Sequence, residues 1–328
     1  MKYKRLYIIG NGFDLHHGIK SGYSEFRDFL KESPDKFIAL NIIGDYYNGC
    51  DDEFWSDFEN NLSKFDVVKY IEEKTIEYYP DLSAENFARE VEDASFNTEK
   101  DFENLSLEIK NAFHDWIYTL NSPNCNMKIY IKRNDSFFIN FNYTKTLEDL
   151  YNIPSNIISH IHGCVDIDEN FIIGHGDKIS ENDITDNMTD DLPDDYVTIE
   201  DIEQYYENQY DPIEDNIKNV TIDCVNTFFK KDVNEIIRSN YHIFEHIAEL
   251  EEICIYGWSF SSVDLPYLMH IIDINRDLYR IKWEISYHRE DDKKNAMRFL
   301  KEYNISESQI SFVKLNELLC YVQPPLFT

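Results

Sequence analysis

His160 and His162 are the side chains in this sequence best suited to proton transfer. They stand in the stretch His160-Ile161-His162-Gly163, at the end of an apolar run. An imidazole gains or loses a proton near neutral pH, so it can act as a general base. At strand spacing both side chains point the same way, and Gly163 leaves space beside them. A single histidine is more often structural, but this pattern at a strand end favours a role in proton transfer.

Asn140 and Asn142 alternate with apolar residues at the end of another apolar run. Their amides can share one face of the chain. Polar amides at the carboxyl end of a central strand lie where doubly wound folds bind ligands. Thr144 follows as a plausible N-cap of the next helix, and the alternative is that one asparagine caps that helix.

The apolar run from Leu6 to Ile9 ends in the stretch Gly10-Asn11-Gly12-Phe13-Asp14. Two glycines allow a tight turn and let a phosphate group approach the backbone closely. A full GxGxxG pattern is absent, because position 15 is Leu. A phosphate-binding turn and a plain strand-to-helix turn are equally compatible with this stretch.

Two further turns carry glycine beside polar side chains. His175 lies between two glycines after the apolar run 170–174, and Gly257-Trp258-Ser259 leads on to Asp264. Hydroxyls and amides at a helix start can hold ribose or phosphate oxygens. The competing interpretation is that Ser262 or Asp264 is an ordinary helix cap.

The elements that must position these residues are strands alternating with helices. Several apolar runs are continuous rather than alternating, as strands buried on both faces should be. This alternation predicts an α/β fold with a doubly wound, mainly parallel sheet, whose strand ends converge on one crevice. The predicted strands are 5–9, 136–142, 157–162, 170–174, 252–257, 281–287 and 309–314, and the predicted helices lie within 54–79, 102–120, 220–250, 265–274 and 290–303.

We expect a single domain over 1–328 that carries two insertions. Residues 45–130 form a helical insertion between the first two strands. Residues 166–216 contain 18 acids and one base, so their charges repel and predict a solvated flap or loop. Its position after the two histidines suggests a lid over the site.

The bulk composition narrows the class of protein. Lys plus Arg is 31 and Asp plus Glu is 63, which gives a formal charge of −32 and makes nucleic acid a poor partner. No run is long enough to span a membrane, and the start of the chain lacks a signal-peptide pattern. Six scattered cysteines without a CxxC pair predict no zinc site. We therefore expect a cytoplasmic protein without a bound metal.

The motif set, read in order, resembles the AbiH abortive-infection family of bacterial phage-defence proteins. The resemblance is carried by GNGFDLHHG, FNYTKTLE, HIHG, GHGD and YGWS with a later Asp, from Leu6 to about Ile272. That family is in turn distantly similar to sirtuin-like NAD-binding domains, which have a Rossmann-like sheet. This sequence differs from sirtuins at Asp14 and Lys20, where sirtuins have serine and proline. It also lacks the zinc-binding cysteine pairs of sirtuins.

The resemblance implies an antiphage effector that hydrolyses the nicotinamide–ribose bond of NAD, with NAD as substrate and no metal. The implied catalytic residues are His162, Asn142 and Asp14. The resemblance and the turns together give a nucleotide-binding set: Gly10, Asn11, Gly12, Phe13, Asn140, Gly163, His175, Gly257, Ser259 and Asp264. The partners implied are the nucleotide and a second copy of the chain or a defence-system protein.

Two alternatives stay open from the residues. Asp14 with His16, and His160 with His162, are fragments of two-metal phosphoesterase sites. A degenerate first turn also fits a nucleotide sensor without catalysis.

Overall fold

A computed structural model describes residues 2–47, 51–79, 87–165, 171–180 and 211–320 of the chain. Within these residues the strands are β1 (Arg5–Ile9), β2 (Ser136–Asn140), β3 (Ile158–His160), β4 (Glu252–Tyr256), β5 (Lys282–Ser286) and β6 (Ile310–Val313). The helices are α1 (Asn11–His16), α2 (Tyr23–Glu32), α3 (Phe37–Tyr46), α4 (Asp52–Ser56), α5 (Phe58–Asn61), α6 (Val67–Tyr78), α7 (Phe87–Tyr118), α8 (Thr146–Tyr151), α9 (Pro212–Phe228), α10 (Val233–Ser239), α11 (Tyr241–His246), α12 (Leu265–Ile274) and α13 (Glu290–Glu302).

The six strands form one sheet in the order β3-β2-β1-β4-β5-β6. Every neighbouring pair is parallel, and Arg5 at the start of β1 pairs with Ser136 of β2 and Glu252 of β4. The chain builds the sheet outward from β1 in one direction and then from β4 in the other. The topological switch point therefore lies between β1 and β4, and the predicted doubly wound α/β class is confirmed.

Alternate side chains of β1 enter two different cores. Leu6 and Ile8 pack with apolar residues of α10, α11, α12 and α13, whereas Tyr7 and Ile9 pack with residues of α1 and α8. All four are almost fully buried. Helices therefore cover both faces of the sheet, which is why its strands read as continuous apolar runs.

The chain divides into two compact units. One comprises residues 1–29, 113–173 and 231–328 and holds the sheet, and the other comprises 30–112 and 174–230. The second unit is helical where it is described: α9 packs on α6, and the Phe102 ring lies 5.4 Å from that of Tyr70 and 6.0 Å from that of Phe229. Residues 45–130, which the sequence marks as a helical insertion, contain α4 to α7.

Most of the acidic stretch 166–216 lies outside the described residues, since 166–170 and 181–210 are not among them. The predicted flap and lid fall there. The described residues at the end of the stretch belong to α9, which begins at Pro212 and has Asp211 as its N-cap.

The strand predicted at 170–174 is wrong, because residues 171–174 form no strand. Ile172 instead makes single bonds: its N–H donates to the His162 carbonyl and its carbonyl accepts from the Tyr143 hydroxyl. Ile173 is buried, which explains the apolar pattern without a ladder. The other six predicted strands are confirmed, and β2 and β3 end at Asn140 and His160, two residues earlier than predicted.

The predicted helical regions also carry helices in the structure. The stripe from 102 to 120 is part of α7, and the stretch 220–250 divides into the end of α9, α10 and α11. None of the described helices has both the length and the apolar character needed to cross a bilayer.

Candidate functional site

The turn after β1 is packed directly against the turn after β4. The Gly12 N–H donates to the Gly257 carbonyl at 2.8 Å, and a Cβ on Gly12 would lie 2.9 Å from the Gly257 Cα. Gly257 itself has φ +65°, and a Cβ there would lie 2.0 Å from the Phe13 nitrogen. Only residues without a side chain allow these backbones to approach so closely. Gly12 and Gly257 are therefore needed for close backbone packing at the switch point, whether or not a ligand binds there.

The polar side chains of α1 are bonded within the first unit. The Asn11 Nδ2 donates to the Ser21 carbonyl at 2.8 Å, and the His16 Nε2 lies 3.0 Å from the Met127 carbonyl. Phe13 is fully buried in the core that contains Tyr151. These contacts fix the turn and the loop that follows α1.

Asp14 is a fully buried carboxyl group. Its oxygens accept hydrogen bonds from the Thr144 hydroxyl at 2.5 Å and the Thr146 hydroxyl at 2.8 Å. Burial raises the pKa of Asp14 to about 6, although the two threonines and Asn142 act in the opposite direction. Half of these groups are therefore protonated near pH 6.

Thr144 is not the N-cap of the next helix, so that prediction is wrong. Helix α8 begins at Thr146 with Lys145 as its N-cap, and no side chain caps it. The Thr144 hydroxyl is bonded to Asp14 instead, because a buried carboxyl group needs hydrogen-bond donors.

Asn142 joins the ends of β2 and β1. Its Nδ2 donates to the Gly10 carbonyl at 3.1 Å, and its N–H donates to the Asn140 Oδ1 at 3.1 Å. The Asn140 Nδ2 lies 3.3 Å from the His160 Nδ1. Both asparagines are buried. The alternative that one of them caps α8 is wrong, since no side chain caps that helix and the two side chains contact Gly10, His160 and the Asn142 N–H.

His160 and His162 do not share one environment, so the prediction that they point the same way is wrong. Strand β3 ends at His160, and a turn follows in which the Gly163 N–H donates to the His160 carbonyl and Gly163 has φ +94°. The His160 Nε2 lies 2.9 Å from the Glu148 Oε1 of α8. The His162 Nε2 faces Asp264, with its Oδ1 3.6 Å away.

His162 is a buried imidazole that is 2% exposed. The rings of Phe141, Tyr143 and Tyr267 lie 5.1, 6.5 and 5.8 Å from its own ring. Among the described residues no hydrogen-bond partner lies within reach of its Nε2. Burial, and then the Lys231 ammonium, lower the pKa of His162 well below its usual value. The ring is therefore neutral at physiological pH and able to accept a proton.

Asn142 and His162 lie at the same edge of the sheet. Phe141 and Tyr143, the neighbours of Asn142 in the chain, both place their rings against His162. Asn142 is 6% exposed, so both predicted catalytic side chains are enclosed in this state. The structure thus brings together Gly10, Asn140, Asn142 and His162 at the carboxyl ends of three adjacent strands.

The loop after β4 supplies Asp264, which is not an ordinary cap. Asp264 stands at the N-cap position of α12 without a side-chain bond to that helix. Its Oδ1 lies 3.3 Å from the Lys231 Nζ as well as close to His162. In the same loop Ser259 is exposed, and Phe260 has φ +57°, which is uncommon for a bulky residue.

His175 belongs to the second unit. It is fully buried, its N–H donates to the Phe229 carbonyl, and burial lowers the pKa of its ring. Gly174 has φ +157° and packs so tightly that a Cβ would lie 2.0 Å from the Phe229 carbonyl oxygen. The GHG pattern therefore has its own packing role beside α9.

Three contributors to the site escaped the sequence analysis: Lys231, Glu148 and Thr146. Lys231 lies between two helices in a plain Lys-Lys-Asp stretch, and nothing in its surroundings marks it as buried. Its side chain is only 1% exposed. Thr146 could have been found, because its spacing from Thr144 places two hydroxyls side by side after a strand.

The described residues contain no group of three or more His, Cys, Asp or Glu side chains that could hold a metal ion. Asp14 bonds to threonines and His16 to a carbonyl, so the fragments of a phosphoesterase site are not assembled. Comparison with curated proteins and with solved structures returns no match. A family model described as Bacteriophage abortive infection AbiH matches residues 6–287, which include every residue of the candidate site. The chain belongs to the AbiH family of bacteriophage abortive-infection proteins.

Proposed function

We propose that this AbiH protein binds NAD and hydrolyses its nicotinamide–ribose bond. The proposal is carried by one observation: a neutral, buried imidazole and a buried asparagine lie at the same carboxyl edge of a doubly wound parallel sheet. Doubly wound sheets bind nucleotides at this edge, near the switch point. The distant similarity of the motif set to sirtuin-like NAD-binding domains points to the same ligand.

His162 acts as the general base in this proposal. Its neutral Nε2 takes the proton of the attacking water or of a ribose hydroxyl while the nicotinamide leaves. Asn142, bonded to the Gly10 carbonyl, orients that water or hydroxyl. Positive charge develops on the ribose as the bond breaks, and the Asp264 carboxylate is close enough to His162 to stabilise it.

The remaining predicted residues bind the dinucleotide. The pyrophosphate lies along the turn formed by Gly10, Asn11 and Gly12, and the exposed Ser259 contacts the adenosine side. Asp14 holds Thr144 and Thr146 and so supports the chain that carries Asn142. In this role Asp14 is a positioning residue.

The site must open before NAD can enter, because His162 is 2% exposed and Asn142 is 6% exposed. The enclosed state accordingly has low turnover. An enzyme that depletes NAD in its own cell would need such a resting state until infection opens it.

The test follows nicotinamide and ADP-ribose by chromatography, with purified protein and with extracts of phage-infected cells. His162→Gln should abolish nicotinamide release, and His288→Gln, a change at an exposed histidine, should not. Absence of NAD binding by calorimetry together with absence of turnover in infected cells would overturn the proposal.

A nucleotide sensor without catalysis is the second candidate. It is favoured by the pairing of the Gly12 N–H with Gly257 and of the Asn142 amide with Gly10. For a sensor, His162→Gln would leave phage protection intact, whereas Gly12→Ala would abolish it.

A further inference from the structure

Glu148, His160 and Asn140 form a continuous series of contacts beside the ends of β2 and β3. The His160 Nε2 lies 2.9 Å from the Glu148 Oε1, and the His160 Nδ1 lies 3.3 Å from the Asn140 Nδ2. The side chains of His160 and Glu148 are 8% and 11% exposed, and Asn140 is buried. The two nitrogens of the ring therefore contact two different elements, α8 and β2.

The backbone N–H of Asn142 fixes the orientation of the Asn140 amide. An N–H group can only donate a hydrogen bond, so the Asn140 Oδ1, 3.1 Å away, is its acceptor. The Nδ2 of the same amide then faces the His160 ring and the Thr144 carbonyl, and it can only donate to them. The His160 Nδ1 must therefore accept. The proton of the neutral ring lies on Nε2, from which it donates to the Glu148 carboxylate.

The opposite placement of the ring proton leaves two poor contacts. The Asn142 carbonyl lies 3.4 Å from the His160 Nδ1 and would accept from that nitrogen if it carried the proton. The Asn140 Nδ2 would then face a second donor, and the Glu148 Oε1 would face a ring nitrogen without a proton. Both contacts are repulsive, so the form with the proton on Nε2 is favoured.

We propose that His160, oriented by Glu148, is a positioning residue that fixes the Asn140 amide and, through it, Asn142. The series of hydrogen bonds runs from α8 across the ends of β3 and β2 to the turn after β1, because the Asn142 Nδ2 donates to the Gly10 carbonyl. The inference rests on the proposed function, in which Asn142 orients the attacking water or a ribose hydroxyl. It adds the two side chains that hold Asn142 in place for that task.

The first test locates the ring proton by NMR of protein labelled with ¹⁵N at histidine, in the absence of NAD. His160→Gln assigns the resonances of this ring. In the wild-type protein we expect the proton on Nε2 and none on Nδ1. Asn140→Asp replaces the donating amide with an accepting carboxylate, so Nδ1 should gain a proton in that variant. A proton on the wild-type Nδ1, or a folded Asn140→Asp variant whose Nδ1 carries none, would overturn the proposal.

The second test measures nicotinamide release in extracts of phage-infected cells, per folded molecule. His160→Leu removes both hydrogen bonds of the ring and should lower release by about 10–100-fold, because a small displacement of a positioned group costs this much. His160→Gln supplies both a donor and an acceptor and should recover most of that loss. Asp149→Asn, at the exposed neighbour of Glu148 on α8, is the matched control and should equal the wild-type protein.

The two proposals can fail separately. The NMR measurement locates a proton on His160 and needs no NAD cleavage. If NAD proves not to be a substrate, a proton on Nε2 that is joined by one on Nδ1 in Asn140→Asp still establishes the hydrogen-bonded series. Nicotinamide release that His162→Gln abolishes and a folded His160→Leu variant leaves unchanged would overturn the positioning role alone.

Discussion

His17 and His162 are two buried histidines of the same unit with opposite hydrogen-bonding states. The His17 Nδ1 donates to the Phe13 carbonyl at 2.7 Å, so its Nε2 accepts from the Tyr151 hydroxyl at 2.7 Å. Burial lowers the pKa of His17 to about 4. His162 is equally enclosed, yet its Nε2 has no partner among the described residues and faces a carboxylate instead.

The comparison shows that burial and a lowered pKa do not by themselves identify a functional histidine. Both rings have these properties. The difference lies in what the ring nitrogens contact. An imidazole whose two nitrogens are both hydrogen-bonded ties the ends of secondary-structure elements together. An imidazole with one nitrogen that lacks a hydrogen bond, next to a charge pair, can still exchange a proton.

The largest expected effect is at His162. His162→Gln should lower NAD cleavage by roughly 10²–10⁴-fold, as loss of a general base does. The free energy of unfolding should change by less than about 1 kcal/mol, because no hydrogen bond to Nε2 is lost. Nicotinamide release and urea denaturation measure the two quantities. Equal activity of the variant and the wild-type protein would remove His162 from the reaction.

His17→Leu should show the reverse. The Phe13 carbonyl and the Tyr151 hydroxyl each lose a buried partner, which costs about 1–3 kcal/mol per group and roughly 4 kcal/mol together. Cleavage per folded molecule should be unchanged. Urea denaturation checks the first expectation and turnover normalised to folded protein checks the second. A stable but inactive variant would reverse the roles of the two histidines.

Asp14→Asn tests how a buried carboxyl group changes the stability of the same unit with pH. Burial raises the pKa of Asp14 from its ordinary value of 3.8 to about 6 in the folded state, so the folded state binds more protons between these values. The contribution of Asp14 to the free energy of unfolding therefore falls as pH rises, and the asparagine variant does not show this fall. Its free energy of unfolding relative to wild type should increase by about 1 kcal/mol between about pH 5 and pH 8. A difference that does not vary with pH would contradict the raised pKa.

The buried histidines have the opposite dependence on pH. A folded pKa below the unfolded value means that the unfolded state binds the proton first, so stability is lost as pH falls below about 6.5. His17→Leu should thus reduce the acid sensitivity of the protein. Urea denaturation across this range measures the effect.

His16→Gln should have the smallest effect. Its ring is partly buried and makes one bond, to the Met127 carbonyl. Loss of that bond costs about 0.5–1.5 kcal/mol, and turnover should be unchanged. The variant is thus the control for mutation of a histidine beside His17. A loss of turnover comparable to that of His162→Gln would show that the first turn takes part in the reaction.

The sequence predicts the sheet well because burial on both faces leaves a direct signature. The runs at β1, β2, β4 and β5 are apolar without alternation, and only strands covered by helices on both faces need this. The run at 170–174 has the same signature but no strand, because buried residues can satisfy their backbone through single bonds to His162 and Tyr143.

The site itself is only partly readable from the sequence. The motifs single out Asn142 and His162 as candidates, and both residues lie just beyond strand ends. The motifs cannot show that Gly12 is needed for backbone packing, since the residue it packs against, Gly257, lies some 245 residues away in the sequence. They also give no sign of Lys231, whose burial results from tertiary packing alone. His160 and His162 lie in different environments because strand β3 ends at His160.

In the proposed function, the carboxyl edge of this sheet binds NAD with its nicotinamide ribose between Asn142 and His162. The most direct measurement is a crystal structure of the His162→Gln variant with NAD, in which the dinucleotide would remain uncleaved. We expect electron density for the ribose next to Asn142 and for the pyrophosphate along Gly10 and Gly12. Density for NAD at another surface, with none beside Asn142 at the carboxyl edge of the sheet, would contradict this function.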